Sequence, residues 1–149
     1  MAVTVVGALA GNQINEFVRS KPGYCMANVR TRTHLAVTAT DYIGNWMAPH
    51  PVKLLASYFV PDDAVVGDNT DTTFLNVVDV GIAAGTTELS SLELLTGFDL
   101  TANAKNDLSA GVGYATELQA GDVLALQAEK SNAGVLIPAG NWIIVYQNN

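Results

Sequence analysis

The chain has 149 residues, 14% of them charged, and a net charge of −7. That length fits one domain, which buries about 70% of the surface its unfolded form exposes and so needs no metal or disulfide to hold a core. A single cysteine, Cys25, excludes an intrachain disulfide, a CxxC redox pair and a zinc knuckle, and no apolar run approaches the roughly 20 residues of a membrane helix.

The charged fraction is near half the usual quarter of a soluble chain, and the mean hydropathy is +0.23. Both predict a surface partly covered by neighbouring chains. The charge is also unevenly placed. Residues 1–53 hold Arg19, Lys21, Arg30, Arg32 and Lys53 against Glu16 and Asp41. Residues 54–149 hold Lys105 and Lys130 against twelve acids. A basic leading third on an acidic body predicts that the first third faces an acidic surface. Five cations spread over 35 residues make no dense patch, and the acidic body repels phosphate, so direct nucleic-acid binding is not expected.

Taken in order, the chain reads as strands and turns. Residues 1–22 are expected to form an arm that leaves the body and pairs with another chain, and residues 23–149 the body itself. The leader AVTVVGALAG is apolar but short, with no Lys or Arg before it, and makes a poor signal peptide. Val3–Leu9 has strand character. Ile14, Phe17 and Val18 have helical spacing, which Pro22-Gly23 stops within two turns. Further strands are expected at Met26–Val37, Val52–Val60, Phe74–Ile82, Leu89–Leu95, Gly113–Leu118, Val123–Ala128 and Trp142–Gln147, with turn signals every 8–12 residues. Pro49 and Pro51 cannot donate to a ladder, so they precede a strand rather than interrupt it. Pro61-Asp62-Asp63 and Gly67-Asp68-Asn69 read as turns, and Gly121-Asp122 as the turn of a hairpin. Many short strands at this spacing predict a single all-β domain, a jelly-roll-like β-sandwich.

Residues able to carry chemistry are few. His34 and His50 have no second His, Cys or acid at metal-ligand spacing, and the His-x-His pair of a cupin site is missing. No Ser lies in a Gly-x-Ser-x-Gly elbow, and Cys25 reads as a core residue. Gly111-Val112-Gly113 lacks a strand–helix context and reads as a turn. The acids Asp62, Asp63, Asp68 and Asp71 do not match a calcium loop and read as turn formers. No enzyme, metal or cofactor is expected. Tyr42, Trp46 and Trp142 are large aromatics that fill a core or interface, although Tyr42 and Trp46 could serve as a sugar-stacking platform.

The stretches PVKLLASYFVPDDAVVGDNTD, TTFLNVVDVG and LQAGDVLALQAEKSNAGVLIPAGNWIIVYQ resemble those of small bacteriophage capsid decoration (cement) and head-fibre base proteins. The resemblance covers residues 49–149. It implies a jelly roll, or the tulip-like β fold of other decoration proteins, assembled as a homotrimer on the outer capsid surface of the virion after synthesis in the host cytoplasm. It implies the major capsid protein as partner, stabilisation of the head lattice as function, and no role for a membrane. On that reading Arg19, Lys21, Arg30 and Arg32 steer docking to the capsid. The alternative is a carbohydrate-binding or host-adhesion module using Tyr42 and Trp46.

Overall fold

The computed structural model describes residues 23–35, 40–81, 87–109 and 116–149. These contain nine strands and no helix: β1 (Tyr24–Arg30), β2 (Asp41–Met47), β3 (Val52–Pro61), β4 (Thr73–Asp79), β5 (Thr87–Glu93), β6 (Asn106–Asp107), β7 (Glu117–Leu118), β8 (Val123–Lys130) and β9 (Gly140–Asn148). They form two antiparallel sheets. The first has the order β1-β9-β3-β6, with β7 also pairing β3. The second has the order β2-β8-β4-β5. Every described connection crosses between sheets except β4–β5 and β6–β7.

Alternation along the strands makes this a β-sandwich. In β9, Trp142 and Ile144 enter the main core, where they join Leu54 and Phe59 of β3. From the second sheet, Ile43, Leu75, Val77, Leu124 and Leu126 meet them. Each such side chain contributes about 1.5–3 kcal/mol on full burial. The Trp142 indole would cost stability if buried without a partner, and its Nε1–H donates to Ser57 Oγ at 2.7 Å. The alternate residues of the first sheet, Val60, Ile143 and Val145, form a second small cluster with Met26 and Tyr58.

Three differences between the sequence reading and the structure concern how the chain passes between the sheets. The strand expected over Met26–Val37 stops at Arg30. Thr31 still bonds β9, its N–H donating to Gly140 O at 2.9 Å, but the Arg32 N–H donates to Ile43 O at 3.0 Å. The chain thus changes sheets between these two residues. The strand β2 was not expected, because Gly44 and Asn45 interrupt its β-branched character. At Gly44 a Cβ would sit 3.1 Å from Thr31 Cγ2 and 3.4 Å from Val29 Cγ1, so the side chains under the crossing would have to give by a few tenths of an ångström. Third, the turn at Gly121-Asp122 joins no hairpin. β7 before it pairs β3, and β8 after it pairs β2 and β4. The expected arm over residues 1–22, with its Val3–Leu9 strand and short helix, lies outside the described residues.

Candidate functional site

β1 and β3 run toward one end of the sandwich, and β4 and β9 leave from it. This direction places four connections at that end, whose described residues are 31–35 with 40, 62–72, 94–105 and 131–139. Strand order sets them side by side, with 31–35 beside 131–139, then 62–72, then 94–105. Backbone pairs stitch each neighbour to the next. His34 and Ile137 exchange hydrogen bonds of 2.8 and 2.9 Å, and Val65 and Leu100 exchange bonds of 3.0 and 2.9 Å. Between the second and third connections, the Ser131 N–H donates to Thr72 O at 2.9 Å and Asn132 Nδ2 donates to Thr70 O at 2.6 Å.

The turn chemistry is local. Asp68 Oδ1 accepts from the Thr70 and Asp71 N–H groups at 2.7 and 2.9 Å, as expected of an Asp that turns its own backbone. Those donors hold the Asp68 carboxyl below the usual carboxylate range. Gly67 packs against the next connection so closely that a Cβ would lie 2.0 Å from Leu95 O.

This knitted end carries four of the five large hydrophobic side chains that the described residues expose. They are Leu35 (54% exposed), Leu136 (47%), Val66 (73%) and Phe98 (61%), one on each connection. The fifth, Met47, is at the end of β2 farthest from them. No role was assigned to these four from the sequence. The available signal was an apolar side chain beside a turn glycine, as in Val66-Gly67 and Gly97-Phe98.

Two of the four cations expected to steer docking are at this end. Arg30 makes a two-pronged bond with Asp62, its Nη1 donating to Oδ1 at 2.8 Å and its Nη2 to Oδ2. The pair raises the Arg30 pKa and lowers that of Asp62. Arg32 Nη2 lies 2.7 Å from the Asp41 carboxylate and donates to Tyr42 O at 2.9 Å. Both cations are therefore neutralised within the chain while staying open to solvent. Arg19 and Lys21 lie outside the described residues.

The remaining candidates are dispersed. Tyr42 pairs with Gln127, whereas Trp46 pairs with Leu124 and packs against the core. The register gives the two rings opposite faces of the sheet. Trp46 stacks instead on Tyr146, with centroids 5.0 Å apart. Cys25 is half-buried, its Sγ 3.6 Å from Asn148 Oδ1. His50 is exposed, with Nδ1 3.1 Å from Pro51 O. His34 is 2% exposed, and neither ring nitrogen has a hydrogen-bond partner. Burial lowers its pKa; Asp41 opposes that shift, and Lys130 and Arg32 add to it. Among the described residues, no three His, Cys, Asp or Glu side chains are grouped to hold a metal.

In comparisons with protein-family models, curated proteins and solved structures, none matches this chain.

Proposed function

We propose that this chain is a jelly roll with an N-terminal arm over residues 1–22. On this reading it is a non-enzymatic structural virion protein that binds the outer surface of a phage capsid as a trimer and stabilises the head lattice. The observation that carries the reading is the strand order. Two antiparallel sheets, β1-β9-β3-β6 and β2-β8-β4-β5, are linked almost throughout by connections that pass from sheet to sheet. This is the order expected of a jelly roll, an architecture used by viral capsid and lectin domains. The resemblance of residues 49–149 to decoration proteins adds the capsid as partner.

Lectin-type use of the same architecture is the competing reading. Tyr42 and Trp46 face opposite sides of their sheet, so that reading lacks the stacking platform it requires. Arg30 and Arg32 remain solvent-exposed. Exposed ion pairs hold their members weakly, so both guanidinium groups stay available to a charged lattice. Three copies bound at one lattice point add avidity without new contacts per copy.

The test is mechanical. Undecorated mature heads of its own phage are heated with and without the purified full chain, and DNA release is followed with a dye. The reading predicts release at a higher temperature with the chain present. Unchanged release, together with binding on a glycan array, would replace the capsid reading with the adhesion module.

A further inference from the structure

The segment from Thr31 to His34 is fastened to residues 137–140 rung by rung. The Thr31 N–H donates to Gly140 O at 2.9 Å, and Thr31 Oγ1 accepts from the Gly140 N–H at 3.0 Å. Thr33 Oγ1 accepts from the Ala139 N–H at 3.2 Å. His34 and Ile137 close the ladder with their exchanged pair. The two buried polar side chains of this seam fare differently. Thr31, 3% exposed, has its hydroxyl engaged by Gly140. His34, 2% exposed, has neither ring nitrogen engaged, and these are the only buried side-chain polar atoms without a partner among the described residues.

A neutral imidazole carries one N–H donor; an imidazolium carries two and a charge, so it tolerates such a place far less. The charges that act on the ring give little relief. Asp41, at the start of β2, is the one acid among them, and it is already held by Arg32 at 2.7 Å. Arg32, two residues back in the chain, and Lys130, at the end of β8, both repel a further cation. Protonation therefore requires the ring to reach water.

One side of the seam is fixed. Ile137 is in the main core, Ala139 O also accepts from the Asp62 N–H at 2.9 Å, and Gly140 opens β9, which lies between β1 and β3. The side that carries the ring is held by the ladder and by the bond from the Arg32 N–H to Ile43 O. Its backbone groups find water as soon as they part, so this is a low-cost opening. Leu35 follows His34 and Leu136 precedes Ile137, so the antiparallel bridge sets these two exposed side chains opposite each other.

We propose that His34 is an acid-sensitive latch. Neutral, it lets its segment lie along residues 137–140 and keeps Leu35 beside Leu136. Protonated, it leaves the interior with its segment, breaks the bridge to Ile137 and parts the two leucines, while both sheets stay folded. The apolar end is then whole at neutral pH and divided in acid. This goes beyond the capsid reading and does not depend on it.

The experiment is amide hydrogen exchange of the full chain, read residue by residue by NMR at pH 7.5 and 5.5 and corrected for intrinsic exchange rates. A free imidazole titrates near 6.5, so an opening that frees the ring grows by up to about tenfold over this interval. The His34 and Ile137 amides should exchange faster than the Ile144 amide at both pH values, and should speed up by about that factor at pH 5.5. His34→Leu should lose the acid response, with His34→Phe as the variant if the leucine form does not fold. Exchange at His34 and Ile137 as slow as at Ile144 would assign the opening to global unfolding and overturn the latch. An acid response that is absent from the wild type, or that survives loss of the imidazole, would overturn it as well.

Discussion

His34 shows how one residue changes meaning between sequence and structure. In sequence it sits in a strand-like run with no metal-ligating partner at the right spacing. In the fold it is enclosed where the first connection crosses to the second sheet, with both ring nitrogens unpartnered. Burial holds its pKa below the 6.5 of a free imidazole, and Asp41 only partly opposes this. The unfolded chain therefore binds the proton more readily than the folded one. Stability is full above pH 6.5, falls as pH drops below it, and levels off once the folded-state histidine also titrates. Urea midpoints should decline from pH 7.5 to 5.5 in the wild type, and His34→Leu should flatten that decline. Equal slopes in the two proteins would contradict the assignment. Trp142 was legible as a buried aromatic from its apolar neighbours Ile143, Ile144 and Val145. Its partner Ser57, 85 positions away, was not, because pairing between β3 and β9 is non-local. Trp142→Phe leaves the Ser57 hydroxyl, at 0% exposure, unpaired at a cost of about 1–3 kcal/mol. Adding Ser57→Ala should recover part of that loss in urea unfolding.

At the scale of elements, strands rich in Val, Ile and Leu were legible and interrupted ones were not. β3, β4, β5, β8 and β9 fall within a few residues of their expected ranges. β2 was missed because its Gly44 serves packing under the sheet crossing and leaves no strand pattern. β6, two residues long, has no pattern to read. The turns at Pro61 and Gly67 were visible, but not that they join an acidic, apolar-tipped end, since that depends on which strands run toward it. Two glycines at this end separate steric from conformational demands. At Gly67 an added Cβ meets the Leu95 carbonyl 2.0 Å away, so the connections over 62–72 and 94–105 must part. Gly67→Ala should destabilise by about 1–3 kcal/mol or more. Gly97 has φ +87° and open space around its Cβ, so Gly97→Ala should cost only the backbone penalty of about 1–2 kcal/mol. Thermal unfolding of the two variants checks the order, and a larger loss at Gly97 would contradict the packing of the loop end.

For the whole molecule, low charge and positive hydropathy led to an expectation of assembly. Four of the five large hydrophobic side chains exposed among the described residues gather at one end. The basic leading third reads differently once folded, because Arg30 and Arg32 are matched by Asp62 and Asp41. Among the described residues, the candidate site is the surface formed by the four connections at one end of the sandwich. Which sheet edges and loops neighbour one another could not be read from the sequence, since alternation fixes faces and not strand order. The proposed function is binding to a capsid lattice. Its most direct test is co-sedimentation of the purified full chain with undecorated mature heads of its own phage, scored for saturation against the major capsid protein. Saturable binding at one fixed ratio to the capsid subunit is expected, and that ratio also names the lattice site occupied. An unbound chain at concentrations well above those of the heads would contradict it.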